Sequence, residues 1–482
     1  MLANRLPDST VELVHEKSVE ILSEVGFCVP ERDALAHLEA AGFPVDWESQ
    51  MVRVTPELLE TALARLPRDV KLYDRAGETP APFERGPFDD AQGRPCFMGA
   101  GTPVNVFDFQ TGVRRPATRQ DVRDLVTLQD ALPQVDVVRP TVTATDQGQC
   151  SDLVEIAELL RCTGKPVVHR TLSWERVDAA VEMLAAVAGG EDAFRGHPNF
   201  ATLYCPISPG YFTPENVCCM VRWAEHGLPI TLLSMAMGGA SAPATLLGEL
   251  VVINTDILAW IVALQILYPG QPLLYGSVSA VLDMRTGLLP LGAPERGMIN
   301  SGAALMARYY GIPSVCGGLS TDAKELDAQA GYEKAVTAVP LLLEGADIIY
   351  GVGAVDAGSS ISYTQMVLDD ELIAGLRRMM QGITVHDLEE EVALIKANTP
   401  RGNFLKARHT RRTFRQHWLP GILSRDTYEA WQAKGETVEQ ICRRKAQDIL
   451  AHHQPPPLPA AVEAELERIV RRYLGAEFRF EL

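Results

Sequence analysis

Between residues 95 and 383 the chain alternates eight short β-rich apolar runs with longer stretches of helical periodicity. The runs are 96–100, 135–138, 166–169, 199–204, 230–234, 273–276, 313–316 and 348–350. Helical spacing fills 152–162, 174–188, 214–226, 245–267, 295–310, 331–344 and 363–381, often opened by Pro or Ser/Thr and closed by Gly. Alternation of this kind implies parallel pairing through right-handed crossovers, and eight units can close as a (β/α)8 TIM barrel. An open doubly wound sheet is the alternative. The runs are short and similar, and no G-x-G-x-x-G follows the first of them, which favours closure.

The flanks read as helical extensions. Residues 1–94 carry Val11, Val14, Val19, Leu22 and Val25 at helical spacing, a capped start at Thr55-Pro56, and room for a short β segment. The barrel domain is expected over 95–383 and a C-terminal helical extension over 384–482. In that extension Arg401, Lys406, Arg408, Arg411, Arg412 and Arg415 form a basic run, read either as a solvated face or as a dock for an acidic partner.

Composition removes several function classes. Lys and Arg number 44 against 62 Asp and Glu, a net charge of −18, which disfavours sequence-independent nucleic-acid binding. The apolar stretch 250–268 is interrupted by Asn254, Asp256 and Gln265, so it is expected as a buried helix and not a membrane span. Residues 1–7 have no secretory pattern, and a cytoplasmic location is expected. The nine cysteines show no C-x-x-C spacing and read as reduced, buried thiols. No bound metal is expected: H-E-x-x-H, G-x-S-x-G, P-loop and zinc-thiol patterns are all missing.

In a barrel the chemistry sits where strands end. Those junctions hold His169-Arg170, the 204–212 segment, and Tyr204, Tyr211, Phe212, Tyr275, Tyr350 and Tyr363. A ring of π faces there could hold a quaternary ammonium at about 0.5–2 kcal/mol per ring, although a single Tyr more often fills the core. His169 is as readily a structural group as, with Arg170, a grip for a substrate carboxylate.

One junction carries more. GGLSTDAKELDAQAGYEK (317–334), preceded by YYGIP (309–313) and followed by GADIIYGVG (345–353), resembles the trimethylamine:corrinoid methyltransferase family. The similarity extends through VHEKSVEILSEVGFCV (14–29), LYDRAG (72–77), FMGAGTPVNVFD (97–108) and GNFLKARHTRR (402–412). It implies a (β/α)8 barrel that moves a methyl group from an amine to the cobalt of a separate corrinoid protein. Archaeal trimethylamine enzymes of the family carry pyrrolysine just ahead of a Ser-Asp-Ala-Lys type segment, where this chain has Ser320 followed by Thr321, Asp322, Ala323 and Lys324.

Serine cannot offer the electrophilic imine that would capture a neutral methylamine. A quaternary amine needs no such activation, because loss of methyl expels a neutral tertiary amine. The resemblance therefore implies a quaternary, betaine-type substrate, a corrinoid (cobalamin) cofactor borne by a partner protein, and in-line attack by Co(I), in a homo-oligomeric enzyme. Asp322 and Ser320 are the expected catalytic-site residues. Thr321, Tyr204, Phe212, Tyr275, Tyr350, His169 and Arg170 are expected to bind substrate, and Lys324 and Glu333 are read as an ion pair at the helix end. Two rival readings are a lyase or isomerase using Asp322 or Asp356 as base, and a non-catalytic betaine-binding subunit.

Overall fold

The computed structural model describes residues 6–81 and 95–480. Its centre is a parallel sheet of seven strands: β1 (Cys96–Gly99), β2 (Val167–Val168), β3 (Phe200–Tyr204), β4 (Ile230–Ser234), β5 (Leu273–Ser277), β6 (Ser314–Gly317) and β7 (Ile348–Val352). They are hydrogen-bonded in the order β1-β7-β6-β5-β4-β3-β2. The run at 135–138 forms no strand of its own and contributes single parallel bridges, Met98–Val137 to one side and Val138–Val167 to the other. Pro133 and Pro140 bracket it; each restricts the residue before it and has no N–H, so pairing stops after two residues.

Helices Ser151–Cys162, Val177–Ala188, Pro214–Glu225, Leu246–Leu267, Pro294–Tyr310, Ala328–Glu344 and Tyr363–Met380 match the expected periodic stretches. Their ends are locally specified. Thr213, Asp327 and Ser362 each accept a backbone N–H of the first turn, and Gly189, Gly311 and Gly345 close helices in the left-handed conformation.

Both faces of the sheet are buried, and alternation along the strands sorts the side chains into two layers. Cys96, Met98, Val137, Val168, Ala201, Leu203, Leu233, Leu274, Val315 and Ile348 make one interior cluster. Phe97, Phe200, Tyr204, Leu232, Tyr275, Cys316 and Ile349 face the helices in the larger cluster. Val70, Leu72 and Ala81 join the interior set. Tyr73 N–H donates to Pro198 O and Arg75 N–H to Gly164 O, just ahead of β3 and β2, so this segment covers the end at which the strands begin.

Helix Leu246–Leu267 is long and apolar enough to cross a membrane, but 78% of its apolar window is buried inside the fold. The polar residues that interrupt it are internal ties. Asn254 donates to Ser18 and Tyr310, Asp256 accepts from Ser208 and Gly210, and Gln265 donates to Gln271 O. Helices Asp8–Glu24 and Pro56–Arg65 pack on it from the N-terminal region. At the other end of the chain, Arg119 donates to Arg479 O and Phe480 O and draws the tail onto the Glu158 network. The six basic side chains of 401–415 are exposed.

Candidate functional site

The interior register, carried past each strand, determines which groups reach the open end. Val137 leads to Arg139, Val168 to Arg170, Leu203 to Cys205 and Ile348 to Tyr350. Arg139 is only 3% exposed, and its guanidinium carbon lies 5.1 Å from the centroid of the Tyr350 ring. Gln129 fixes its backbone by donating to Arg139 O at 2.8 Å. Burial pushes the Cys205 thiol up while the charges of Arg170 and Arg139 pull it down, which places both cations at the end of β3.

A third cation arrives from the first turn of helix Pro294–Tyr310. Arg296 is fully enclosed, donates Nη1–H to Val278 O at 2.7 Å, and closely approaches Gly317 at the end of β6. A Cβ at Gly317 would stand 2.4 Å from Arg296 Nη2, so a larger residue there would displace the guanidinium. Burial lowers the guanidinium to about 10, with Tyr350 and Asp322 acting in the opposite direction, and it stays charged at neutral pH. Among the described residues none of these three arginines forms an ion pair, and the buried Nε of Arg139 and of Arg296 has no hydrogen-bond partner. Buried donors without partners are costly and therefore uncommon.

The loop after β6 lies directly on β7. Gly351 has φ 151°, and a Cβ there would meet Gly318 O at 2.1 Å. Ser320 is buried, donates Oγ–H to Gly318 O at 2.9 Å and donates its N–H to Thr337 Oγ1. Thr321 Oγ1 and Asp322 N–H both donate to Glu333 Oε2, at 2.6 and 2.8 Å. Asp322 is half-buried and accepts the N–H of Leu291 at 2.8 Å. Burial raises its pKa, the backbone donors of Gly292 and Leu291 oppose that, and Glu333 adds to it.

Several expectations are corrected here. Lys324 and Glu333 do not pair: Lys324 Nζ donates to Asp322 O and lies 3.7 Å from Asp356, while Glu333 is taken up by Thr321, Asp322 and Gln329. Tyr204, Tyr275 and Phe212 belong to the layer between strands and helices. Tyr204 OH meets Thr171 and Trp223, Tyr275 OH donates to Asn254, and Phe212 packs edge-on to Trp260. Tyr363 likewise donates to Asp121. His169 points outward, with Nε2 at 2.7 Å from Glu155 Oε2. Of the expected aromatics at strand ends, Tyr350 is the one that packs with the interior set, and its ring carries Arg139. Asp356, the rival base, lies between Arg114 and Lys324 at 3.5 and 3.7 Å.

Arg139 and Arg296 escaped the sequence reading, as did Glu249. Arg139 directly follows an expected strand, two places beyond inward Val137, so the same parity that picks out Arg170 would have found it. Glu249, in the first turn of helix Leu246–Leu267, is fully buried beside Gly238, and desolvation outweighs the Gly238 N–H to push its carboxyl up to about 7. The large cavity of about 1260 Å³ lies elsewhere, lined by Leu419, Ile422, Trp431 and Ile441 and by none of the strand-end groups.

Parallel strands whose ends gather cations and a hydroxyl- and carboxylate-bearing loop define an α/β protein with its polar chemistry at the strand ends. The family model described as Trimethylamine methyltransferase (MTTB) matches residues 2–475, and the chain belongs to that family. It is 33% identical over 465 residues to trimethylamine methyltransferase MttB of Desulfitobacterium hafniense (strain DSM 10664 / DCB-2), covering 96% of this chain and 92% of the relative. It is 29% identical to the glycine betaine methyltransferase of Desulfitobacterium hafniense (strain Y51), covering 97% and 96%. Among solved structures, the Methanosarcina barkeri monomethylamine methyltransferase (MtmB) aligns at TM-score 0.49 and 13% identity, covering 91% of this chain and 92% of that one.

Proposed function

We propose that the protein transfers a methyl group from a betaine-type quaternary amine to a corrinoid carried by a partner protein. Family membership supports methyl transfer from a methylated amine. The observation that carries the choice of amine is Ser320: at the position where the resemblance puts pyrrolysine stands a hydroxyl already donated to Gly318 O. No electrophile is available there to turn a neutral amine into a leaving group, so the substrate arrives with its nitrogen already quaternary.

A reduced corrinoid borne by a partner protein would supply the electron pair that takes the methyl group. The C–N bond breaks with its pair retained on nitrogen, and a neutral tertiary amine departs. The chain's own residues then position and desolvate the substrate, with no proton to move. Asp322, whose charge acts on Arg296, balances the ammonium. Tyr350 and the loop backbone around Ser320 and Thr321 shape the wall.

The same reading takes residues 95–383 as a closed (β/α)8 unit in which 137–138 serve as the eighth strand; the bridges Met98–Val137 and Val138–Val167 support it. Residues 1–94 and 384–482 are its extensions, in a cytoplasmic homo-oligomer. The test is incubation of purified protein with a reduced corrinoid and a panel of quaternary amines, following conversion of Co(I) to methyl-Co(III) by absorbance. Methylation by a quaternary amine is expected. Its absence with every amine, using both free cobalamin and corrinoid protein, would overturn the assignment.

A further inference from the structure

A site for a simple cation is built from π faces or carboxylates, and the open end of this sheet gathers the opposite charge. Arg139, Arg170 and Arg296 converge there without an ion pair among the described residues, and two of them are almost wholly buried. Among the described residues the buried Nε atoms of Arg139 and Arg296 have no hydrogen-bond partner. Desolvated guanidinium groups repel a cation with no counter-charge of its own, and their forked donors match a carboxylate.

We infer that Arg139, together with Arg170, binds the carboxylate of the substrate, and that Arg296 completes this positive end of the site. Arg139 is thereby the residue that selects quaternary ammonium carboxylates over quaternary alcohols and unsubstituted tetraalkylammonium ions. The inference rests on the methyltransferase reading for the nature of the substrate, but the anion site itself stands on the arginines. Tyr350 holds the Arg139 guanidinium from one face, so the fork is oriented before the ligand arrives. The carboxylate end is fixed in this way while the methyl-bearing end stays free for the acceptor.

Binding of glycine betaine, choline and tetramethylammonium to the full-length protein, measured by calorimetry, tests this directly. The wild-type protein is expected to bind glycine betaine at least about 10-fold more tightly than choline, as hydrogen bonds to a charged group imply. Arg139→Gln should weaken glycine betaine by about 10- to 100-fold and leave choline unchanged or improved. Should Arg139→Gln fail to fold, Arg139→Lys keeps the charge but not the fork and should fall between the two. Acetate should compete with glycine betaine, and inorganic phosphate should do so more weakly.

Equal wild-type affinity for betaine and choline, or an undiminished preference in Arg139→Gln, would overturn the inference. The two readings fail separately. Loss of preference in Arg139→Gln without methylation of any corrinoid keeps the carboxylate site and removes the methyltransferase. Methylation that proceeds equally well from choline keeps the methyltransferase and removes the carboxylate site.

Discussion

Arg139 lies over the ring of Tyr350, 5.1 Å from its centroid, at the open end of the sheet. The contact orients a buried guanidinium that no carboxylate among the described residues holds. Replacing the ring by Tyr350→Leu removes about 0.5–2 kcal/mol of cation–π attraction and frees Arg139 to rotate. The expected result is a several-fold rise in KM for a betaine with a smaller change in kcat, whereas Tyr350→Phe, which keeps the ring, stays near wild type. Steady-state kinetics of corrinoid methylation check this, and an unchanged KM in the leucine variant would separate Tyr350 from the site.

Asp322 has two roles that substitution can divide. Its carboxylate accepts the Leu291 N–H at 2.8 Å, and its charge acts on Arg296. Asp322→Asn keeps an acceptor for the loop but loses the charge; Asp322→Ala loses both. If the charge balances the substrate ammonium, both variants should fall at least about 10-fold in kcat/KM, a loss of about 1.4 kcal/mol, while melting near the wild-type temperature. Wild-type turnover in Asp322→Ala would remove the residue from the mechanism.

Glu249 gives a pH signature. Burial pushes its carboxyl up to about 7, against 4.5 for the unperturbed group, so the folded state holds a proton that the unfolded chain releases. Its contribution to stability is complete below pH 4.5 and is lost as pH rises through about 7. Glu249→Gln should erase that loss. Urea unfolding of both proteins from pH 5 to pH 8 should show the variant gaining on wild type by up to about 3 kcal/mol. A difference that does not change with pH would mean that Glu249 is already ionised at the acid end.

Lys334 and Asp369 form a fully buried pair, 2.7 Å apart, behind β7. Asp369 also accepts from Gly353 N–H and Gln365 Nε2, so the pair fixes the turn after that strand. Lys334→Met leaves a buried carboxylate uncompensated and should cost about 3–5 kcal/mol in urea unfolding. Adding Asp369→Asn should recover part of that loss, because a neutral amide still accepts from Gly353. A double variant no more stable than Lys334→Met would mean that the carboxylate is not the source of the cost.

The sequence made the order of elements legible because each helix carries its own periodicity and caps, as Thr213-Pro214 and Gly311 illustrate. It could not show which face of a strand each residue takes. In a parallel sheet buried on both sides the two faces are equally apolar, so nothing local separates inward Tyr350 from outward Tyr204 and Tyr275. That ambiguity produced the aromatic ring that the structure replaces with cations. Arg296 was beyond reach for a different reason: it sits on a helix and meets Gly317 only through tertiary packing. Ser320, by contrast, could be singled out from the residues around it.

Methyl transfer itself is the most direct test of the central claim. The protein, a Co(I) corrinoid protein and glycine betaine are combined anaerobically, and absorbance and product amine are followed together. The account predicts conversion of Co(I) to methyl-Co(III) with one dimethylated amine formed per methyl moved, and no such conversion with trimethylamine. Methylation from trimethylamine but not from any quaternary carboxylate would contradict it.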